Sequence, residues 1–247
     1  MVTWKKIGLF CDDQITPIFE NTWTTILESA NNGIIAADLI VNNNEHNIYY
    51  CLNIYPGHHA GFSKYGGYCF VNNSAISAIC LSESYKVGIL DLDYHAGNGT
   101  ADIVDHLKND NICCVSIHAN PEYDYPFYEG YRDDYENDNI LNIPFEPNTK
   151  IDNYMIHIKE AVKFLISHNI DHLIIAFGGD TYKDDPDASE LCRCGLDIDD
   201  YNTISRYIAT ELKKYKTGLK IIVTQEGGYE LENIGKITES FINGLIL

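Results

Sequence analysis

The sequence has no apolar run long enough to span a membrane, and it has few basic residues. Its 247 residues include 17 lysines and arginines against 36 aspartates and glutamates, which gives a formal net charge of −19. A membrane-spanning helix needs about 20 predominantly apolar residues, so we expect no membrane insertion. Because a negative field repels phosphate backbones and attracts cations, the composition disfavours nucleic-acid binding and favours a basic substrate.

The N-terminal segment lacks the features of a secretory signal. Its short apolar run meets Asp12 and Asp13 before any small-residue cleavage site. The eight cysteines are mostly scattered along a chain that is neither short nor evidently secreted, so reduced thiols are expected rather than a disulfide framework. We therefore expect a cytoplasmic protein, and nothing in the sequence selects an oligomeric state.

Short β-branched apolar runs alternate with longer segments of helical periodicity. The runs that predict strands are Ile48–Asn53, Lys86–Leu90, Ile112–Ile117, His172–Phe177 and Lys220–Thr224. The predicted helices are Thr22–Ile40, Asn73–Ser82, Thr100–Lys108, Asn153–Ser167, Asp200–Tyr215 and Ile234–Leu245. This alternation predicts a single α/β domain over residues 1–247, with an open, mostly parallel sheet and helices on both faces. The long irregular stretch Ala119–Asn139 predicts a functional loop.

Possible ligands and acid–base groups follow the predicted strands. Each strand is followed within a few residues by one such segment, and the segments are His58-His59, Asp91–His95, Ser116–His118, Gly178–Asp180 and Gly227–Tyr229. Ligands of open α/β sheets bind beyond the carboxyl ends of the strands. We therefore expect these five segments to converge at one edge of the sheet.

Three of these residues form a candidate metal site. Asp93, His95 and Asp180 supply two carboxylates and one imidazole, and three protein ligands leave a position open for water, as a catalytic zinc site requires. A mixed set of this kind also suits ferrous iron, so the residues leave the metal open between Zn²⁺ and Fe²⁺. The structural alternative is that Asp93 caps the following helix and His95 is a satisfied core histidine.

The adjacent imidazoles of His58 and His59 are candidates for acid–base chemistry. Beside a metal, one histidine can take a proton from water and return it to a leaving amine near neutral pH. Without a metal, the same pair is consistent with a surface turn. The phenol of Tyr229 either donates to the oxyanion of a tetrahedral intermediate or belongs to a core residue at a turn.

Six motifs in a fixed order identify a family resemblance. They are PGHHA (56–60), GGYCFVNN (66–73), DLDYHAGNGT (91–100), SIH (116–118), FGGDTYKDDP (177–186) and EGGYE (226–230). From about Thr16 to its end the chain resembles the arginase-like deacetylase superfamily, which includes the histone deacetylases, and it is most similar to the acetylpolyamine amidohydrolase branch. The resemblance implies an arginase/deacetylase-like fold and a hydrolase that removes acetyl groups from acylated primary amines.

The resemblance also implies roles for individual residues. Zinc would be held by Asp93, His95 and Asp180. Three residues would act on the substrate: His59 as general base and then acid, His58 as a partner that stays charged, and Tyr229 as the group that polarises the acyl carbonyl. Asp91 and Ser116 match part of a structural potassium site. The tunnel for the acylated chain would be lined by Gly67, Tyr68, Tyr125 and Gly228.

Two departures from the family pattern bear on function. Asn98 stands where some members have an aspartate behind the second catalytic histidine, and an amide can still accept the imidazole N–H. Family members carry a substantial segment before the helix at Thr22, whereas about twenty residues precede it here. The resemblance therefore implies an N-terminally abbreviated domain with a complete catalytic set and a shortened rim around the active site.

The leading hypothesis is zinc-dependent deacetylation of a small cationic acetylpolyamine. A protein or histone lysine deacetylase acting on acetyl-lysine is the alternative within the same chemistry. A truncated metal-binding module with little turnover is the alternative outside it.

Overall fold

The structure is a computed structural model that describes residues 8–43 and 45–246. Its strands are β1 (Ile48–Cys51), β2 (Val87–Asp91), β3 (Ile112–Ala119), β4 (Ile140–Phe145), β5 (His172–Phe177) and β6 (Lys220–Gln225). The helices of the described residues are α1 (Thr22–Asn42), α2 (Asn73–Ser82), α3 (Asn98–Leu107), α4 (Ile151–Ser167), α5 (Ile198–Tyr215) and α6 (Ile234–Leu245).

The six strands form one parallel sheet in the order β1-β6-β5-β2-β3-β4. The predicted open parallel sheet is thereby confirmed. In the register of the sheet, Asp91 at the end of β2 pairs with Ala176 of β5 on one side and Ser116 of β3 on the other. Since all six strands run the same way, the segments that follow β2, β3, β5 and β6 emerge at the same edge.

Within the described part of the chain, each face of the sheet is covered by three helices. Alternate residues of β5 show the division, because Leu173 and Ile175 belong to the core under α4, α5 and α6, whereas Ile174 belongs to the core under α1, α2 and α3. Side chains on both faces of the sheet are therefore buried, which explains why the strand segments of the sequence are almost entirely apolar. No helix of the described residues combines the length and the apolar character that a membrane crossing needs.

The strand β4 is absent from the sequence-based prediction, which assigned five strands. Its segment carries Pro144, which cannot donate a hydrogen bond to a neighbouring strand, and proline argues against an interior strand. The structure places β4 at the edge of the sheet with β3 as its partner, where His118 pairs in register with Pro144. A strand at the edge of a sheet tolerates proline, because its outer side makes no hydrogen bonds to a further strand.

Candidate active site

A cavity of about 240 Å³ opens at the carboxyl edge of the sheet. Fifteen residues line it: Asp13, Ile15, Pro56, His58, His59, Gly67, Tyr68, Asp93, His95, Asp124, Tyr125, Phe127, Asp187, Gly227 and Tyr229. A larger groove of about 950 Å³ lies by the amino ends of β1 and β6, where Ile48 and Leu219 are among its lining residues. That groove contains none of the predicted catalytic residues, so the smaller cavity is the candidate active site.

Three buried ligand atoms meet beside the cavity, which Asp93 and His95 line. The Nδ1 atom of His95 lies 3.3 Å from Asp93 Oδ1 and 3.4 Å from Asp180 Oδ2. One ligand atom from each residue lies within 4.8 Å of the other two. Ligands of a tetrahedral zinc ion, each about 2.0–2.1 Å from the metal, stand about 3.3–3.4 Å apart. The spacing of these atoms therefore fits a single first-row metal ion.

The two carboxylates are held in place by backbone donors. Asp93 accepts hydrogen bonds from the N–H of Gly227 at 2.7 Å and of His95 at 2.9 Å, and Asp180 accepts one from the N–H of Tyr94 at 2.9 Å. These bonds come from segments that follow β2 and β6. The carboxylates are thus positioned by the sheet rather than by flexible side-chain contacts.

The Oδ2 atom of Asp180 is buried and has no hydrogen bond within residues 8–43 and 45–246, although His95 Nδ1 lies 3.4 Å from it. Burial, together with the charge of Asp93, raises the pKa of Asp180 to about 8. A buried carboxylate next to a second carboxylate needs either a proton or a cation to offset its desolvation. The chemistry of this donor set therefore fits a divalent cation bound by Asp93, His95 and Asp180.

His58 is enclosed by carboxylates. Its Nδ1 lies 3.1 Å from Asp91 Oδ2, and its Nε2 lies 3.5 Å from Asp93 Oδ1. Burial opposes the charged form, but Asp93 and Asp91 raise the pKa of His58 to about 10. The imidazole is therefore a fixed cation at neutral pH.

His59 is the opposite case, although it is the next residue. Its Nδ1 lies 2.7 Å from the side-chain oxygen of Asn98, and its ring packs edge-on against Tyr125 at 4.8 Å between centroids. Burial, together with the positive charge of His58, holds the pKa of His59 well below its usual value. The two adjacent histidines thus present one charged and one neutral imidazole.

Tyr229 lines the same cavity, with its ring 6.1 Å from that of Tyr68 between centroids. Burial and the charges of Asp93 and Asp180 raise the pKa of its phenol well above the usual value. The hydroxyl consequently keeps its proton and can donate it in a hydrogen bond. Asp185 is buried beneath this segment and accepts hydrogen bonds from the backbone N–H of Tyr229 at 2.7 Å and of Glu230 at 3.1 Å.

Three of the four predicted residues of the tunnel line the cavity. Gly67, Tyr68 and Tyr125 all line it, whereas Gly228 packs against Gly179 and Ile234, and its neighbour Gly227 lines the cavity instead. The chain turns at Gly228 with a positive φ of 129°, directly after the lining residue Gly227, so the place of Gly228 in the tunnel stays a prediction.

Gly67 has a φ of +53°, and a Cβ atom there would lie 2.2 Å from the Cδ2 atom of His59. A residue with a side chain is therefore excluded at position 67 by both the backbone angle and the space.

The residues of the implied potassium site are neighbours in the sheet. Asp91 and Ser116 are register partners on β2 and β3, so their side chains point to the same face. Asp91 accepts the N–H of Asp93 at 3.1 Å, and burial raises its pKa. The hydroxyl of Ser116 accepts the N–H of Gly97 at 3.2 Å and lies 2.7 Å from His118 Nδ1. The carboxylate of Asp91 and the hydroxyl of Ser116 are oxygen donors of the kind that a monovalent cation takes, and Asp91 also pairs with His58 at 3.1 Å.

Sequence reasoning missed three carboxylates that support the site. Buried Glu226 accepts the backbone N–H of Gly57 at 2.5 Å and of His58 at 3.1 Å, and so holds the segment of the two histidines. Asp185 holds the segment of Tyr229 through its two backbone hydrogen bonds. Asp13 accepts the N–H of Gly67 at 2.6 Å and holds one wall of the cavity. Glu226 and Asp185 lie inside motifs of the sequence, whereas nothing in the sequence around Asp13 indicates its contact with Gly67.

Comparison with known proteins is consistent with this geometry. The profile of the histone deacetylase domain matches residues 2–245. Acetylpolyamine amidohydrolase 2 of Pseudomonas aeruginosa is 33% identical over 236 residues, which are 93% of this chain and 64% of that protein. The acetylpolyamine amidohydrolase of Mycoplana ramosa is 30% identical over 246 residues, which are 97% of this chain and 68% of that protein.

A solved structure gives the same result for the fold. The crystal structure of an acetylpolyamine aminohydrolase from Burkholderia pseudomallei superposes with a TM-score of 0.85 at 28% identity, over 94% of this chain and 66% of that one. The chain thus spans about two thirds of the length of the relatives it matches, with 64% coverage of one and 68% of another. The fold, the order of the motifs and the match over nearly its whole length show that the chain belongs to the histone deacetylase domain family.

Proposed function

We propose that the protein hydrolyses the acetyl amide of an acylated primary amine in this cavity. The observation that carries the proposal is the convergence of Asp93, His95 and Asp180 on one point beside the neutral imidazole of His59 and the phenol of Tyr229. Asp93, His95 and Asp180 would hold Zn²⁺, and the same donor set also suits Fe²⁺. A bound metal would supply a Lewis acid that polarises the amide carbonyl and acidifies water.

The side chains of the cavity have separate roles in the reaction. His59 is neutral and lines the cavity, so it can take a proton from the attacking water and later give it to the leaving nitrogen. His58 stays positively charged between Asp91 and Asp93 and offsets the negative charge that develops nearby. Tyr229 donates a hydrogen bond to the carbonyl oxygen as that oxygen becomes negative.

The surroundings of the site support two further assignments. We assign Asp91 and Ser116 to a site for K⁺ beneath the catalytic residues, on the strength of their adjacent register and the desolvated carboxylate. We also assign the chain to one catalytic domain, because the described strands form one sheet with a core on each face.

The proposed substrate is an acetylated polyamine. Three carboxylates stand at the entrance of the cavity, and two of them are engaged with backbone: Asp13 with Gly67, and Asp124 with the N–H of Ser189 at 2.9 Å. Asp187 is an exposed residue whose carboxyl group packs beside other protein groups. This desolvation, together with the charge of Asp185, raises the pKa of Asp187 despite the opposing charge of His95. A carboxylate in this position favours a ligand that carries an ammonium group. Relatives named acetylpolyamine amidohydrolases point in the same direction.

Acetyl-lysine of a protein is the second candidate substrate. The observation in its favour is a pair of exposed aromatic residues at the entrance, since Phe127 is 49% and Tyr128 90% exposed. Exposed aromatic side chains beside a cavity are typical of surfaces that contact another protein.

An assay of the purified, zinc-loaded protein on acetylputrescine and on an acetyl-lysine peptide tests the proposal. We expect turnover of acetylputrescine, loss of turnover after chelation and its return with added Zn²⁺. A preference for the peptide would select the second candidate. Failure to hydrolyse either substrate at full metal occupancy would overturn the proposed function.

A further inference from the structure

Asn98 stands between the imidazole of His59 and a carboxylate from the long loop that follows β3. Its side-chain oxygen lies 2.7 Å from His59 Nδ1. Its side-chain nitrogen donates a hydrogen bond of 2.7 Å to Glu129 Oε2. The amide therefore links the proposed base to Glu129, a residue that neither the motifs nor the proposed mechanism includes.

The chemistry of these groups fixes the direction of both hydrogen bonds. An ionised carboxylate only accepts, so the end of the Asn98 amide that faces Glu129 has to be the NH₂ group. The other end, which faces His59, is then the carbonyl oxygen, and an oxygen of this kind requires a donor. His59 must consequently carry its proton on Nδ1, which leaves the lone pair on Nε2.

Glu129 is held in the ionised state that this orientation of the Asn98 amide requires. Lys64 Nζ lies 2.7 Å from Glu129 Oε1 and 3.1 Å from Asp12 Oδ2. Partial burial works against the charge of Glu129, but the hydrogen bonds from Lys64 and Asn98 lower its pKa. The carboxylate is therefore an acceptor at neutral pH.

Without this acceptor, Asn98 keeps one side-chain hydrogen bond among the described residues, to His59, and that bond does not distinguish its two orientations. The two ends of a side-chain amide have nearly the same shape, so the group can turn over. In the reversed orientation the NH₂ group faces His59 Nδ1, which then has to accept. The proton of the imidazole moves to Nε2, and the nitrogen that would take a proton from water no longer has a free lone pair.

We propose that Glu129 is a positioning residue, which orients the amide of Asn98 and so selects the Nδ1-protonated tautomer of His59. The proposal rests on the proposed function only for the role of His59 as a base. The tautomer itself is a property of the protein alone.

Two variants separate this role from simple anchoring of the loop. In Glu129→Gln the new amide can pair with Asn98 in either orientation, so we expect a mixture of His59 tautomers. In the double variant Asn98→Asp, Glu129→Gln, the introduced carboxylate can only accept and the introduced amide can donate to it, so the Nδ1-protonated tautomer should return. Asp133→Asn is the matched control, because it removes the same charge from an exposed position on the same loop.

The measurement is NMR of isotope-labelled histidine in the zinc-loaded protein, with the His59 signals assigned by difference from His59→Ala. The shifts of the two ring nitrogens report which one is protonated. We expect Nδ1 protonation in the wild type, in the control and in the double variant, and both tautomers in Glu129→Gln. This readout decides the proposal even if the protein hydrolyses none of the substrates tested.

Kinetics give the second readout. Loss of the hydrogen bond that favours one orientation of Asn98 should lower the rate by about 2- to 10-fold. We therefore expect kcat of Glu129→Gln to fall by that factor with KM little changed. The double variant should recover the wild-type kcat. A single Nδ1-protonated tautomer in Glu129→Gln would overturn the proposal, whatever happens to kcat, because Glu129 would then only anchor the loop. An Nε2-protonated His59 in the wild type would overturn it as well.

Discussion

The floor and the mouth of the cavity are built in different ways. The floor consists of the lining residues His58, His59, Asp93 and His95, together with Asp180, which adjoins Asp93 and His95. All five are buried, with exposed fractions between 0% and 8%. The mouth consists of Asp13, Tyr68, Asp124, Phe127 and Asp187, which lie on connecting segments, and among them Phe127 is 49% exposed.

The contacts of the two regions differ as much as their exposure. Each carboxylate of the floor accepts a backbone N–H, and those donors follow strands of one sheet. The mouth is held by contacts between loops, such as the bond from Gly67 to Asp13. A floor fixed by the sheet keeps its geometry when loops change, whereas loops carry the variation on which selectivity depends. We infer that the floor sets the chemistry and that the mouth selects the substrate.

The sharpest test of the floor as one unit is removal of a metal ligand. We expect Asp180→Ala to abolish zinc binding and activity together, because a site of three protein ligands cannot lose a carboxylate and keep its open geometry. Metal analysis beside the deacetylation assay checks this, with circular dichroism to establish that the fold is intact. A folded variant that retains stoichiometric zinc would show that the ligand set is wrong.

The next largest effect is expected from Tyr229, at the boundary between floor and mouth. Tyr229→Phe removes the hydroxyl and leaves the ring against Tyr68, so zinc content and stability should not change. Loss of one donor to a developing oxyanion lowers kcat by about 10²- to 10³-fold. Steady-state kinetics at full metal occupancy measure this, and unchanged turnover would remove Tyr229 from the mechanism.

The difference between floor and mouth also explains which parts of the site could be predicted from the sequence. The residues of the floor follow strands by a few residues. Strand periodicity and topology therefore predict from the sequence alone that Asp93 and Asp180 lie at one edge of the sheet. The helix ends deviate by two residues at most, as for α3, which begins at Asn98 rather than Thr100. β4 was missed because its segment contains Pro144, and proline is atypical of strands other than edge strands.

The contacts that loops make, in the mouth and at Asn98, were not predictable in this way. Asp13 reaches Gly67, and Glu129 reaches Asn98, across 54 and 31 residues of chain. Each of these contacts depends on the path of a loop, and loops have no periodicity from which a side chain can be placed. Asp187 is a similar case, because it follows the Asp-Pro pair of a motif but its place in the mouth comes from the turn after β5.

A smaller effect is expected when the charge of the mouth alone is changed. Asp187→Asn should raise KM for a cationic acetylpolyamine by about 2- to 5-fold, the range of an exposed charge pair, and should leave kcat nearly unchanged. Glu190→Asn, which removes an exposed charge three residues away outside the cavity lining, is the control. If Asp187→Asn lowered kcat with KM unchanged, the separation of chemistry from selection would fail.

The smallest effect concerns the field of the whole protein, which acts on the mouth without any single contact. With 36 acidic against 17 basic residues, the protein should attract a cationic substrate, and this attraction is screened over about 8 Å at physiological salt. We expect kcat/KM for a charged acetylpolyamine to fall by about two-fold as ionic strength rises through the physiological range, whereas that for an uncharged acylated amine of similar length should hardly change. Both substrates meet the same His59 and Tyr229, so the comparison isolates the field from the chemistry of the floor. Parallel salt profiles would mean that the acidic surface does not take part in selection, and Asp187 would then be the part of the mouth on which a preference for cations depends.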